Sequence, residues 1–246
     1  MISFLGYCME NLFVTLKYVF SGQTKFFEVV SKAATISYDS LPISLIIVSV
    51  AAIVIATQVA HQFLMTGAEA YVGGSLELAL VREIAPGFVA LAISARSGTA
   101  ICSEMANMQV TSQVDAMKTL KVNPVGYYFA PRFLASVITI PMVVIIAEFV
   151  GIMAGMLICF ATIDLHPNRY FNSVWLWLNT RDLYISFFKA AVFGGLIALV
   201  CATQGYLTKG GAADVGRATT QAAIKSTVYM LIADFIINLV FYVEIF

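Results

Sequence analysis

Long apolar runs alternate with short polar stretches along most of this chain. Five runs are long enough to cross a bilayer core of ~30 Å at ~1.5 Å per helical residue. They are residues 41–60, 84–101, 133–163, 183–207 and 226–243. The third run exceeds the length of one crossing, so we expect that span to be tilted, kinked or to project beyond the bilayer.

The residues before the first run are mixed rather than uniformly apolar. Apolar side chains recur at helical spacing, and Glu28 and Lys32 are placed to pair at i,i+4. The pattern predicts one or two amphipathic helices, broken near residues 21–22. Their aromatic content favours a position in the membrane interface over a soluble helix packed on the protein. We therefore divide the chain into an N-terminal amphipathic region, 1–40, and a single domain, 41–246.

The longest polar stretch between apolar runs is residues 103–124. Within it, Ser112 followed three residues later by Asp115 fits a capping box, which predicts a short helix starting directly after Ser112. The residue before Pro124 is disfavoured in the α region, so this helix must end near Val122. The stretch is thus predicted to contain a short helix between the second and third spans.

Composition identifies the class of protein. The chain is 60% hydrophobic and 11% charged, whereas a soluble domain has roughly a quarter charged residues. Its mean hydropathy is +0.88. These values predict an all-α integral membrane protein with five transmembrane helices. A net charge of zero gives no basis for nucleic-acid binding. The four scattered cysteines argue against a disulfide framework or a zinc site. No signal peptide is recognisable in the first 40 residues.

The distribution of Lys and Arg predicts the orientation. One set of connecting segments carries nine of these residues, namely 1–40, 102–132 and 206–225. The other set carries three, namely 61–83, 164–182 and 244–246. By the positive-inside rule, the N-terminus and the polar stretch 103–124 are cytoplasmic and the C-terminus is outside. Segment 164–182 is predicted to be a loop whose Trp175 and Trp177 lie at the membrane interface.

Ordered short motifs extend over most of residues 55–240. They are Gln58, Gly67-Ala68-Glu69, Arg82-Glu83-x-x-Pro86, Arg96-x-Gly98-x-Ala100, Ser103-Glu104-Met105, Gln113-x-Asp115-Ala116, Asn123-Pro124, Pro131-Arg132 and the block 210–220. In this order they resemble the MlaE/YrbE family of ABC-transporter permeases. Ala95 stands where that family usually has Gly.

The resemblance implies a permease subunit of an ATP-driven machine that moves phospholipids between the inner and outer membranes of a bacterium. It implies a homodimer in the inner membrane, two cytoplasmic ATPases beneath it and a periplasmic ring of MCE-domain proteins above it. ATP and Mg²⁺ belong to the ATPase. The chain has no GxxxxGK[ST] motif, so it is expected to carry no cofactor and to be a transport subunit rather than an enzyme.

The same resemblance makes the short helix near 112–121 a coupling helix. The candidates for ATPase contact are Glu104, Gln113, Asp115 and Lys118. From the residues alone, a solvated helix face is the alternative.

Arg82 and Glu83 are expected at the outer mouth of the second span. Arg pairs with phosphate, and Glu can hold an Arg or the amine of a zwitterion, so the pair is a candidate headgroup site. The alternative is an interface anchor or a salt bridge between subunits. Five apolar residues are candidates to line a cavity for acyl chains: Val59, Phe63, Leu64, Leu80 and Phe88.

Four charged residues lie within predicted spans: Arg96, Glu148, Asp234 and, near one end of the fourth span, Lys189. A charge within the bilayer costs ~2.5–3.5 kcal/mol on insertion scales, so each should face protein or water. One interpretation is a proton or substrate pathway. The other is a structural network with pairs such as Arg96 with Glu148 or Asp234. It is favoured because an ATP-driven machine needs no proton relay.

Two other functions remain open. One is a stand-alone secondary transporter coupled to ions through the charges within the spans, and the other is a non-transporting membrane scaffold. His61 and His166 are isolated, and there is no catalytic or metal-binding constellation. The Gly151-x-x-x-Gly155 motif predicts a close helix contact.

Overall fold

Helices make up nearly all of the described chain. The computed structural model describes residues 2–22 and 24–241, and no strand occurs among them. The helices are α1 Ile2–Phe20, α2 Phe26–Thr66, α3 Val72–Ala79, α4 Ala85–Ile93, α5 Thr99–Val110, α6 Gln113–Thr119, α7 Pro124–Ile163, α8 Pro167–Trp177, α9 Thr180–Tyr206 and α10 Ala212–Phe241. A 3₁₀ turn, Glu69–Tyr71, precedes α3. The first π turn, Leu80–Ile84, links α3 to α4, and the second, Ser94–Gly98, links α4 to α5.

Five helical segments within the described residues are long and apolar enough to cross a membrane. They are Phe26–Thr66, Glu69–Val110, Pro124–Ile163, Thr180–Tyr206 and Ala212–Phe241. The predicted all-α fold with five spans is therefore confirmed. Most of the segments are longer than predicted, because a helix can continue past the apolar run with its backbone hydrogen bonds satisfied internally.

Two of the connecting segments are largely helical. The start of α10 occupies much of 206–225, and α3 with the end of α2 occupies much of 61–83. The prediction of a polar loop over 206–225 was therefore wrong, because polar side chains at the solvent end of a spanning helix resemble a loop in composition. The predicted end of the fifth span, Val243, lies outside the described residues.

The N-terminal region contains the predicted break. Gly22 has φ +67° and separates α1 from α2, and α2 then continues without interruption past residue 40. On α1, Cys8, Asn11 and Thr15 share one face and are buried, while Phe13 is exposed on another. The Nδ2 atom of Asn11 donates a hydrogen bond to Oγ1 of Thr203 at 3.1 Å, which fixes α1 to α9.

The chain divides into two compact units. Unit 1 comprises the described parts of 1–40, 93–140 and 191–246, and unit 2 comprises 41–92 and 141–190. In unit 1, α9 approaches its neighbours closely: a Cβ on Gly194 would lie 2.5 Å from the carbonyl oxygen of Ser136. All four cysteines are buried free thiols.

In unit 2, residues 164–182 contain a helix where a loop was expected. His166 precedes α8, and its Nδ1 accepts a hydrogen bond from the amide of Asn168 at 3.3 Å. Pro167 occupies the first helical position, where its fixed φ suits the helix and its missing N–H costs nothing. Tyr170 and Val174, four residues apart, bury one face. The loop prediction was therefore wrong, although Pro167 was a readable start signal.

The glycine motif on α7 makes the close contact that its spacing predicts. A Cβ on Gly151 would lie 2.8 Å from Cδ1 of Leu80. One on Gly155 would clash with Leu76 and lie 3.0 Å from the hydroxyl of Tyr170. The motif lets α7 pack directly on α3 and the first π turn within unit 2.

Candidate functional site

Charged side chains gather around the first π turn of unit 2. Arg82 donates from Nη2 to Oδ2 of Asp182 at 2.9 Å. Lys189 donates from Nζ to Oε1 of Glu83 at 3.0 Å and to the carbonyl oxygen of Arg82 at 2.8 Å. These four residues, the motif pair and its two partners on α9, are called the charge cluster below. π turns are rare and occur frequently at functional sites.

A polar stripe on α9 supplies the partners. Asp182, Ser186 and Lys189 follow the spacing i, i+4, i+7, which places them on one face of the helix, and all three are buried. Ser186 donates from Oγ to Oε1 of Glu148 at 2.5 Å. The predicted intramembrane acid Glu148 is therefore bound by this same stripe.

The charge cluster consists of two partly exposed side chains and two buried ones. The side chains of Arg82 and Glu83 are 39% and 47% exposed, whereas those of Asp182 and Lys189 are 3% and 0% exposed. Each motif residue is thus oriented by a buried counter-charge and keeps part of its surface open. A charged pair held in this way can present a cation and an anion side by side to a ligand.

A further acid lies inside unit 2 next to this cluster. Glu77 is fully buried, and neither of its carboxylate oxygens has a hydrogen-bond partner among the described residues. Asp182, Arg82 and Glu148 interact with it electrostatically. Buried carboxylates without partners are rare because losing water costs them several kcal/mol, about 2–7 even for neutral polar groups.

The five residues proposed to line an acyl-chain cavity differ in their surroundings. Val59 and Phe63 pack, half-buried, against the hydrophobic core of unit 2. Leu80 is fully buried, whereas Leu64 and Phe88 are exposed. In this conformation, Leu64 and Phe88 have the most exposed surface for a ligand, and Leu80 has none.

The short helix α6 lies between two left-handed residues, Ser112 with φ 58° and Lys121 with φ 59°. Its start at Gln113 confirms the predicted position. The predicted capping box is wrong, because the Ser112 side chain makes no capping hydrogen bond and its backbone is left-handed rather than extended.

The end of α6 is a Schellman motif. The amide of Val122 donates to the carbonyl of Met117 at 2.9 Å, and that of Lys121 donates to the carbonyl of Lys118 at 3.0 Å. The helix therefore ends at Thr119, before the predicted Val122. Glycine usually occupies the left-handed position of this motif, so a lysine there gave no readable signal.

One residue anchors α6 and the rest of its surface is open. Val114 is buried, whereas Gln113, Asp115 and Lys118 are exposed. Lys118 lies 3.3 Å from Oδ1 of Asp115, and the hydrogen bond to this carboxylate raises the pKa of the lysine. Leu120, directly after the helix, is also exposed. The three polar candidates thus share an accessible surface with an apolar residue beside it.

Glu104 has different surroundings from the other three coupling candidates. It accepts a hydrogen bond from Nη2 of Arg132 and a 3.1 Å bond from the hydroxyl of Tyr128, and it lies 3.5 Å from Nζ of Lys32. It therefore ties α5 to α2 and α7 within unit 1. This geometry suits a residue that positions α5 next to α6.

Arg96 lies in the second π turn and pairs with Asp39 of α2 at 3.4 Å. The suggested pairing with Asp234 is therefore wrong, and the one with Glu148, which lies in unit 2, stays a prediction. The neighbouring Ser97 forms a buried 2.9 Å hydrogen bond with Ser40, also on α2. Asp234 accepts a 3.4 Å hydrogen bond from Asn238 on its own helix.

Comparison with known proteins assigns the chain to a family. The family model described as Permease MlaE matches residues 29–240. The chain belongs to this family. It is 34% identical over 207 residues to a probable ABC transporter permease protein of Rickettsia prowazekii, covering 84% of this chain and 80% of the relative. A probable ABC transporter permease protein of Synechocystis is 34% identical over 200 residues, covering 81% and 76%.

A plant protein is also similar. The Arabidopsis thaliana protein TRIGALACTOSYLDIACYLGLYCEROL 1, chloroplastic, is 31% identical over 185 residues, covering 75% of this chain and 53% of the plant protein. The resemblance predicted from the motifs is thus confirmed. This MlaE permease is a multi-pass membrane protein of an ABC transporter permease family.

Sequence reasoning missed several residues that complete these sites in the MlaE permease. They are Lys32, Glu77, Arg132, Asp182 and Lys189. The signal for the last two was present, because Asp182, Ser186 and Lys189 repeat at helical spacing along an otherwise apolar span.

Proposed function

We propose that this MlaE permease is the membrane subunit of an ATP-driven transporter that moves phospholipids between the inner and outer membranes of a bacterium. It works as a homodimer, with ATP and Mg²⁺ bound by two separate cytoplasmic ATPase chains and with a periplasmic ring of MCE-domain proteins. Family membership and the names of the bacterial relatives support the permease role. The bias of nine Lys and Arg residues against three supports a cytoplasmic N-terminus and a periplasmic C-terminus.

The energy of ATP hydrolysis is transmitted to the membrane spans through α6. The observation that carries this proposal is an exposed helix joined to two spanning segments by defined left-handed turns. Because Ser112 and Lys121 each hold a strained backbone of roughly 1–2 kcal/mol, the turns are fixed by their surroundings rather than flexible. Such a connector transmits a push from a docked ATPase to α5 and α7.

The lipid headgroup binds at Arg82 and Glu83. Arg82 offers guanidinium donors to the phosphate, and Glu83 offers a carboxylate to the amine of a zwitterionic headgroup. Their half-exposed side chains and buried partners support this role. The name of the Arabidopsis relative, which is that of a galactolipid, supports a glycerolipid substrate.

The coupling role is tested with Asp115→Arg. We expect this variant to lose the ATPase on purification or to hydrolyse ATP without moving lipid. Glu10→Arg is the matched control, because it reverses an exposed acid that belongs to α1. Normal co-purification and normal transport by Asp115→Arg would exclude this assignment.

The headgroup site is tested with Glu83→Lys, which we expect to reduce lipid co-purification and transport. That change also disrupts the ion pair with Lys189, so the second variant is Glu83→Lys combined with Lys189→Glu. The swapped pair restores the attraction but not the acid offered to the lipid. If the swap restored lipid binding and transport fully, Glu83 would have only a structural role.

A second candidate function is ion-coupled secondary transport. One observation favours it: Glu148 is buried and bound by the hydroxyl of Ser186 rather than by a cation. Reconstituted vesicles separate the two functions. Transport that stops with a protonophore but continues without ATP would support the second candidate, and the reverse result would support the first.

A further inference from the structure

Unit 1 contains two adjoining cavities that the functions above do not use. Their volumes are about 560 and 280 Å³. The larger one lies among the first turns of α2, the first turns of α7 and the end of α5. Three side chains line both cavities: Lys32, Glu104 and Arg132. The volume of the larger cavity falls within the range of cavities that bind small molecules, roughly 300–1,000 Å³.

The shared wall presents two cations, Lys32 and Arg132, on either side of the acid Glu104, and the two cations differ in how firmly they are held. Arg132 lies over the ring of Tyr128, with its guanidinium carbon 3.4 Å from the ring centre, and donates to the Tyr128 carbonyl at 3.1 Å. Lys32 lies 3.5 Å from Glu104, which is long for a hydrogen bond between charged groups, about 2.7–2.9 Å. Lys32 therefore keeps ammonium donors for an anion, beside a guanidinium that is already oriented.

The remaining walls of the larger cavity are mainly apolar. Phe27, Met108, Tyr127 and Pro131 contribute to them. The polar residues of these walls are Ser31, Asn107 and Glu28, and Glu28 is paired with Lys25 at 3.5 Å. Phe27 is exposed, as is the adjacent Phe26, although both lie on a helix that continues into a membrane span. Aromatic residues at the end of a spanning helix are typical of the headgroup level of a bilayer. A small soluble anion would not contact these aromatic side chains, whereas the apolar part of an amphiphile would.

We propose that this cavity binds the headgroup of a glycerophospholipid from the surrounding leaflet. The phosphate lies on Lys32 and Arg132, and the glycerol and the start of the acyl chains lie along Phe27 and Tyr127. The site shares no residue with the pair Arg82 and Glu83. The inference rests on the proposed topology only in assigning this leaflet to the cytoplasmic side.

The test is site-specific photo-cross-linking in the full chain. The photoreactive amino acid p-benzoylphenylalanine replaces Met108, or Ser31 as a second position in case the first variant does not fold. Cells are labelled with ³²P-phosphate and irradiated, and the purified chain is analysed by autoradiography and mass spectrometry. We expect an adduct with the mass of a glycerophospholipid.

A second substitution shows whether the contact is specific. Lys32→Glu should reduce the labelled adduct by about tenfold or more, because a charge-assisted contact to phosphate is lost and a like charge replaces it. Lys17→Glu reverses an exposed lysine on α1 that does not line either cavity, and it should leave the labelling unchanged.

Each other outcome overturns the proposal. Equal labelling with Lys32→Glu would mean ordinary annular lipid, an adduct with free phosphate or a nucleotide would mean a soluble anion, and a cross-link to protein would mean a subunit interface. Labelling requires neither ATP hydrolysis nor transport, so it should persist in Asp115→Arg. Failure of this inference is thereby distinguished from failure of the proposed function.

Discussion

Replacing Lys189 with methionine tests the charge cluster directly. Methionine preserves most of the length and volume of the side chain but removes the ammonium group. Lys189 is fully buried, so the change removes its 3.0 Å bond to Glu83 and its 2.8 Å bond to the carbonyl of Arg82. The backbone of the first π turn then lacks this side-chain partner.

The expected loss follows from those two bonds. Both bonds are donated by the ammonium group, and a hydrogen bond of a charged group contributes roughly 1.5–3 kcal/mol. Methionine also avoids the desolvation cost of burying that charge, which offsets part of the loss. Breaking a fully buried ion pair costs about 3–5 kcal/mol, but Glu83 is 47% exposed and water can solvate much of its charge. We therefore expect Lys189→Met to lower the free energy of unfolding by about 2 kcal/mol.

The assay is unfolding of the purified permease in dodecylmaltoside micelles with increasing SDS. Trp175 and Trp177 are the two tryptophans of the chain, and both lie on α8 of unit 2, so their fluorescence reports on this unit. Lys17→Met is the control: as an exposed change it should remain within about 0.5 kcal/mol of the unmodified protein.

A double-mutant cycle separates the ion pair from simple loss of packing. Glu83→Gln combined with Lys189→Met should be less destabilised than the sum of the single variants, by about 1 kcal/mol, because the two side chains interact directly. Additive effects, or an unchanged stability of Lys189→Met, would refute the reasoning that this pair holds the first π turn.

The remaining predictions use the same SDS assay. Gly155→Val should destabilise the permease by about 1–3 kcal/mol through overpacking against Leu76, and wild-type stability would contradict the close contact. Lys121→Gly should stabilise it by about 1 kcal/mol by relieving the left-handed backbone, and any loss of stability would contradict the assigned strain. Asn123→Ala should cost about 1 kcal/mol, because Oδ1 of Asn123 accepts hydrogen bonds from the first amides of α7, and an unchanged midpoint would argue against that cap.

The spans were predictable from the sequence because the length of an apolar run is a local property. The break near Gly22 was also predictable, because it too depends on the local sequence. The ends of the helices were not, because a polar residue at the end of a spanning helix and one in a loop have the same composition. The end of α6 depends on a left-handed lysine, Lys121, which no propensity scale would place there.

Arg82 and Glu83 were evident from sequence as a charged pair next to the second span, but their position inside the helical segment Glu69–Val110 and the residues that hold them were not. Asp182 lies 100 residues from Arg82 along the chain. Such a pairing depends on which faces of two helices meet, and hydrophobic periodicity specifies only that a face is buried. The polar stripe on α9 indicates that some polar partner exists, and packing decides which one.

Pro86, the last residue of the Arg82-Glu83-x-x-Pro86 motif, affects the hydrogen bonding of the first π turn. In a regular α-helix the carbonyl of Arg82 would accept a hydrogen bond from the residue four positions later, which is Pro86 and has no N–H. The amide of Ala85 instead reaches the carbonyl of Leu80, five residues earlier, which defines the π turn. The carbonyl of Arg82, to which Pro86 cannot donate, accepts a hydrogen bond from the ammonium of Lys189 at 2.8 Å. The proline thus creates an acceptor within an apolar span, and the buried lysine that satisfies it is the same one that orients Glu83.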